Sequence, residues 1–136
     1  MGNVKRIYVE KKKPFAVKAR ELKEEIQSYL NIRGVEDVRV FIRYDVENVS
    51  EETFESACGI VFSEPPVDIL YHETIKIPAD GRVFSVEFLP GQFDQRADSA
   101  VQCVKFLRED EQPVIRTAVT YLVTGQISDA EFLKIK

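Results

Sequence analysis

Hydrophobic and polar residues follow two different periods along the chain, and each period predicts its own elements. The clearest strand signal runs from Val38 to Val46, where every second residue is apolar. This period of two is typical of a strand with one buried face. Spacings of three and four residues predict a helix from Phe15 to Leu30. Its predicted apolar stripe consists of Phe15, Ala19, Leu22, Ile26, Tyr29 and Leu30.

The remaining elements follow from the same periods together with capping and turn residues. We predict strands over 4–10, 84–88 and 115–125, an extended segment over 67–77, and a helix over 95–108. Two further helices begin at Ser50 and Ser128, since serine is a good N-cap and Ser128 to Glu131 forms a capping box. The predicted fold class is therefore α+β, with antiparallel sheet structure and helices packed on one side.

The two halves of the chain resemble each other. The residues that match at an offset of 78 (93 − 15) are Phe15 and Phe93, Ala19 and Ala97, Ser50 and Ser128, and Phe54 and Phe132. Upstream, Val9-Glu10 matches Val86-Glu87 after a slip of one residue. We therefore predict a single domain with two similar β-α-β-containing halves, over about 1–62 and 79–136, and a proline-containing connector over 63–78. Such a duplicated unit can form two sheets or one continuous sheet around a pseudo-twofold axis.

Length, composition and charge narrow the classes of function. The chain has 136 residues, a net formal charge of −4 and a hydrophobic fraction of 44%. These values suit one globular domain and argue against a generally basic nucleic-acid binder. No apolar run approaches the length of a membrane span, and two cysteines suit a reducing cytoplasm better than a disulfide scaffold. We expect a cytoplasmic protein with neither nucleic-acid nor membrane partners.

Candidate catalytic chemistry is sparse in this sequence. Its six glycines are scattered singly, so it has neither a Walker loop nor a dinucleotide fingerprint. Cys58, Cys103 and His72 lack both metal-ligand spacing and a nucleophile signature. We expect both cysteines in the core and His72 on the surface or in a strand. The sequence therefore predicts no catalytic, cofactor-binding or metal-binding residue.

One polar segment stands out where a predicted strand leads into the third helix. Its candidate domain-interface residues are Gln92, Asp94, Gln95, Arg96, Asp98 and Ser99. Two interpretations stay open: a polar surface that docks another domain or a ligand, or capping of the helix by Asp94 with a solvated first turn. Arg96 favours docking, because a cation at a helix N-terminus opposes the helix dipole and capping does not explain it.

Four stretches of the chain resemble the amino-terminal region of phosphoribosylformylglycinamidine synthase, in the long single-chain type of clostridia and related bacteria. They cover residues 4–10, 43–46, 62–68 and, most specifically, 89–100. In that family this region resembles a fused pair of the small PurS accessory subunit, in agreement with the internal repeat. The resemblance implies a non-catalytic scaffold domain that bridges the synthetase and glutaminase domains of the same parent chain.

The resemblance also implies an activity for the parent enzyme, a cytoplasmic ligase of de novo purine biosynthesis. It amidates formylglycinamide ribonucleotide with glutamine and with ATP and magnesium. Neither catalytic domain is represented here, so the fragment is expected to be inactive and without cofactor. The short last helix, which begins at Ser128, likewise leads us to expect that the natural chain continues beyond Lys136.

Two other classes of function compete with the scaffold interpretation. One is a free-standing regulatory module of ferredoxin-like type that binds a small metabolite between its repeats. The other, weaker option is an RNA-binding α+β domain. The acidic balance after residue 20 and the lack of a basic-aromatic strand motif count against RNA.

Overall fold

The computed structural model describes residues 4–32, 34–89 and 91–135, so Pro90 in the segment 89–100 lies outside the described residues. Within these ranges the chain forms one sheet of five antiparallel strands and four α-helices. The strands are β1 (Lys5–Lys11), β2 (Val35–Glu47), β3 (Asp68–His72), β4 (Gly81–Glu87) and β5 (Val114–Gly125). The helices are α1 (Val17–Ser28), α2 (Glu51–Ile60), α3 (Gln95–Leu107) and α4 (Asp129–Ile135). The strand order across the sheet is β3-β1-β2-β5-β4.

The long strands β2 and β5 form the centre of the sheet. They pair antiparallel over almost their whole length. Phe41 and Arg43 are buried on one face of β2, contrary to the single buried face predicted from its alternation, and Val38, Tyr44 and Val46 are buried on the predicted face. The four described helices pack on that face in two clusters, α2 with α3 over one end and α1 with α4 over the other. The predicted fold class, α+β with an antiparallel sheet and helices on one side, is therefore confirmed.

The two outer strand pairs have the same register. Val9 of β1 lies opposite Ile42 of β2, and Val86 of β4 lies opposite Val119 of β5, each 77 residues later in the chain. The central pair also joins Ile42 to Val119. This arrangement is what a duplicated unit would produce, and the pseudo-twofold relation of the halves stays a prediction that superposition of the halves would test.

The face without helices is crossed by the chain between β3 and β4. These strands are the opposite edges of the sheet, so residues 73–80 must span it. A Cβ atom on Gly81 would lie 3.1 Å from both Ile77 Cγ2 and Leu122 Cδ1, so Ile77 packs beside Leu122 on this face. Phe41 and Leu122 are each 0% exposed. The second face therefore has a small apolar centre of its own.

Two boundaries predicted from the sequence need correction. The helix α1 spans Val17–Ser28 rather than 15–30, and Tyr29, which follows its last residue, is 89% exposed. The extended segment over 67–77 is a strand only as far as His72, since Glu73 has a positive φ of 66° and turns the chain out of the sheet. The predicted connector 63–78 thus contributes β3. Within the described residues, no helix combines the length and the apolar character needed to cross a membrane.

Candidate functional site

The six interface candidates lie where the loop after β4 leads into α3. Asp94 caps this helix as the second interpretation expects, because its carboxylate accepts a hydrogen bond from the backbone N of Ala97 at 2.9 Å. The same carboxylate accepts from the backbone N and the hydroxyl of Thr117 on β5, each at 2.8 Å. Gln92 closes the preceding turn, since its Oε1 accepts from the backbone N of Leu89 at 2.6 Å. Asp94 therefore fixes the start of α3 to the sheet.

The outer side of this junction is a mixed apolar and polar surface, which we call the α3 patch. The patch consists of Phe88, Leu89, Phe93, Gln95, Arg96 and Ser99. All but Leu89 line an open depression of about 550 Å³. Leu89 and Phe93 are 67% and 69% exposed. Neighbouring exposed apolar side chains of this size are typical of interaction surfaces. Asp98 is exposed and lies outside the depression.

Arg96 also lines a groove of about 380 Å³ between α1 and α3, together with Phe15, Tyr44 and Asp68. Within the described part of the chain, no carboxylate forms an ion pair with Arg96. Burial raises the pKa of the Tyr44 hydroxyl, and the nearby charge of Arg96 opposes that rise. Capping thus explains Asp94, whereas Arg96 has no ion pair among the described residues.

A larger cavity of about 620 Å³ lies at one end of the face without helices, and no sequence pattern predicts it. We call it the arginine cavity. Cross-strand pairing places Arg6, Asp45 and Arg116 in one row, with Arg43 and Glu87 in the next row. The available signal was the alternation of Arg43 and Asp45 with the apolar residues of β2. Such charges on one strand usually mark a solvated face, so the neighbouring strands are needed to recognise a cluster.

Of the three arginines that line the arginine cavity, Arg6 and Arg43 form ion pairs with described residues. Arg6 donates from Nε and Nη2 to the two carboxylate oxygens of Asp45, at 2.6 and 3.3 Å. These hydrogen bonds raise the pKa of Arg6. Arg43 donates from Nη2 to Glu87, and its Nε lies 3.4 Å from Asp45 Oδ2. Arg116 forms no ion pair with any described residue.

The two cysteines and the histidine do not come together. Cys58 is half-buried, and burial raises the pKa of its thiol to about 11. Cys103 is exposed, contrary to the expected core position, because it precedes the buried Val104 and so lies off the inner face of α3. His72 is exposed at the end of β3, as expected. Among the described residues, no group of three His, Cys, Asp or Glu side chains could hold a metal ion.

No protein-family model, curated protein or solved structure matches this chain. The features that bear on function are therefore the α3 patch, the arginine cavity and the resemblance described above.

Proposed function

We propose that this chain is a non-catalytic, PurS-like scaffold domain that bridges the synthetase and glutaminase domains of a phosphoribosylformylglycinamidine synthase. The observation that carries the proposal is the α3 patch, which lies almost entirely within the segment 89–100, the most specific part of the resemblance. Exposed Phe93 lies beside Arg96, whose guanidinium has no ion pair among the described residues, and aromatic residues and arginine are enriched in protein–protein interfaces.

The sheet supports the same proposal. A fused pair of small subunits would need two strand pairs of equal register joined along their central strands, and β1–β2, β2–β5 and β4–β5 pair in this way. A scaffold also needs a docking surface of fixed geometry. The hydrogen bonds from Thr117 to Asp94 hold the start of α3, and with it the patch, against β5.

The proposed role assigns this chain no catalytic residue, cofactor or metal of its own. The parent enzyme acts in the cytoplasm and amidates formylglycinamide ribonucleotide, using ATP and magnesium in its synthetase domain and glutamine in its glutaminase domain. The scaffold domain holds the synthetase and glutaminase domains in a fixed relative position, so that ammonia released from glutamine reaches the synthetase instead of escaping.

The first test is to read the gene beyond codon 136. We expect the reading frame to continue into synthetase and glutaminase domains. A stop codon at that point would contradict the proposal that the domain belongs to a single-chain enzyme of this family.

The second test is Arg96→Ala in the full-length protein. Glutamine-dependent amidation should fall by about tenfold, the loss expected for an interface arginine. Ammonia-dependent amidation should stay near its original rate. The melting temperature of the chain 1–136 should not change, because Arg96 has no ion pair among the described residues to lose. The matched control is Arg108→Ala at the opposite end of α3, where the ion pair with Glu52 is exposed.

The outcomes distinguish three roles for Arg96: docking another domain, contacting the substrate and stabilising the fold. Equal loss of both amidation activities in the Arg96→Ala protein would mean that Arg96 contacts substrate directly. A large fall in melting temperature would mean that Arg96 is structural. An equal effect of Arg108→Ala would mean that the α3 patch is not the docking surface.

A further inference from the structure

The first half of the chain lacks the polar contacts that fix α3 to the sheet. In the second half, Asp94 caps α3 and accepts hydrogen bonds from Thr117 of β5. Ala16 takes the place of Asp94 at the offset of 78 (94 − 16), and Val40 takes that of Thr117 at the strand offset of 77 (117 − 40). Ala16 gives α1 no side-chain cap. Neither contact of Asp94 therefore has a counterpart at the start of α1.

The groove of about 380 Å³ between α1 and α3 lies at this place, and we call it the α1 groove. The residues that form its apolar floor and its edge along α1 include Phe15, Ala16, Val17, Lys18, Val40 and Ile42. Phe15 and Val17 are 50% and 51% exposed. Exposed apolar side chains beside a concave apolar surface are typical of sites where one protein binds another.

The α1 groove has an excess of positive charge. Its charged lining residues are Lys11, Lys18, Arg96 and Asp68. Asp68 is paired with Lys11 at 2.9 Å, whereas Lys18 and Arg96 form no ion pair with any described residue. Asp94 lies near enough to act on the pKa of Tyr44 in the groove, and counting it as a second carboxylate still leaves the cations in excess. The groove therefore complements a ligand that carries negative charge.

The sequence concentrates this positive charge in one segment. Residues 11–20 contain four lysines and one arginine, without any aspartate or glutamate. The whole chain has a net charge of −4, so the remaining residues together carry −9 (−4 − 5). An acidic partner is thus attracted to the start of α1 and repelled by the rest of the chain.

The shape of the groove favours a peptide over a membrane or a nucleic acid. A concave apolar floor can receive a side chain of a peptide, whereas membrane binding uses an apolar face that enters the lipid. Of the aromatic residues that line the groove, Tyr44 and Phe62 are buried, which leaves Phe15 alone to stack on a base. Arg96 lines both the groove and the α3 patch, so the two surfaces are continuous.

We infer that the α1 groove is a second docking surface, which binds an acidic peptide segment from another domain of the parent chain. An apolar side chain of that segment lies against Val40 and Ile42, and its carboxylates face Lys18 and Arg96. The inference rests on the scaffold proposal for the source of the segment. It deepens that proposal, because a domain that bridges two others needs two docking surfaces.

Titration of the ¹⁵N-labelled chain 1–136 with the peptide Glu-Asp-Phe-Glu-Glu, followed by NMR, tests the inference. We expect saturable shifts of the backbone amides of Val40 and Ile42. Lys18→Glu should weaken binding by about tenfold, because it reverses a charge next to the peptide. The matched control, Lys76→Glu, makes the same change at an exposed lysine of the segment that crosses the other face and should leave the affinity unchanged.

Two further measurements separate binding from folding and identify the source of the segment. Ala16→Asp places a carboxylate at the groove and should weaken binding without lowering the melting temperature, because aspartate is the residue that caps α3 at the equivalent position. In the full-length protein the parent segment already occupies the groove. The peptide should therefore bind at least about tenfold more weakly there than to the chain 1–136.

Four results would overturn the inference. The first is a peptide that shifts neither amide signal, or that binds the Lys18→Glu protein as tightly as the unmodified chain. The second is equally tight binding of the neutral peptide Gln-Asn-Phe-Gln-Gln. The third is tighter binding of single-stranded RNA or anionic phospholipid vesicles at the same amides. The fourth is equal binding of the acidic peptide to the full-length protein. Each result leaves the scaffold proposal to its own tests, the gene sequence and Arg96→Ala.

Discussion

Replacement of Ile26 by alanine measures how strongly α1 is held to the sheet. Ile26 is the buried residue of α1, only 2% exposed, and it packs in a cluster with Val38 and Val123. The substitution removes three carbon atoms, which at roughly 0.8 kcal/mol per buried methylene is about 2.4 kcal/mol of lost burial. The cavity left behind raises the expected loss to about 3 kcal/mol, inside the range of roughly 2–5 kcal/mol for such changes.

Urea unfolding followed by far-ultraviolet circular dichroism measures this loss. We expect a lower midpoint with an unchanged slope, and a fall in melting temperature of about 10 °C. The matched control is Tyr29→Ala, from the same predicted stripe but with 89% of its side chain exposed. It should change the free energy of unfolding by no more than about 0.5 kcal/mol. Equal losses in the two variants would refute the assignment of Ile26 to the buried face of α1.

Two further predictions concern titratable groups. Hydrogen bonds from Thr53 and from the Ser50 backbone lower the pKa of Glu111 below its ordinary value of 4.5. The stability that Glu111 contributes should therefore be present above pH 4.5 and be lost as the pH falls through the lower folded-state pKa. In the Glu111→Gln variant, the urea midpoint should depend less on pH in that acidic range than in the unmodified chain. An equally steep dependence in both proteins would contradict this. At pH 8, iodoacetamide should alkylate exposed Cys103 much faster than Cys58, because burial raises the pKa of the Cys58 thiol to about 11. Mass spectrometry measures the two alkylation rates, and equal rates would contradict the burial of Cys58.

Local signals in the sequence predict local structure well in this chain. The capping box at Ser128 forms as expected, with hydrogen bonds of 3.0 and 3.1 Å to Glu131, because every atom involved lies within four residues. The alternation in β2 identifies the face that the helices cover for the same reason, but it does not show that Phe41 is buried on the other face. Asp94 is an intermediate case, since its capping role is local but its hydrogen bonds to Thr117 come from a strand 23 residues away.

The features that the sequence does not predict depend on neighbours distant in the chain. Periodicity places Tyr29 on the same helix face as Ile26, but it does not show that the helix ends at Ser28 and leaves Tyr29 exposed. The arginine cavity requires the register of β1, β2 and β5, which alone brings Arg6, Asp45 and Arg116 into one row. No pattern within a single strand contains that information.

The equal register of the two strand pairs has a consequence for stoichiometry. In a pair of identical subunits every side chain occurs twice, so any cleft that lies away from the twofold axis has a twin. Here the counterpart of Arg43 is Thr120, whose hydroxyl is hydrogen-bonded to that of Ser85 at 2.8 Å. One covalent chain can thus carry different side chains at equivalent positions. Among the described residues, the arginine cavity therefore has no identical twin in the first half of the chain.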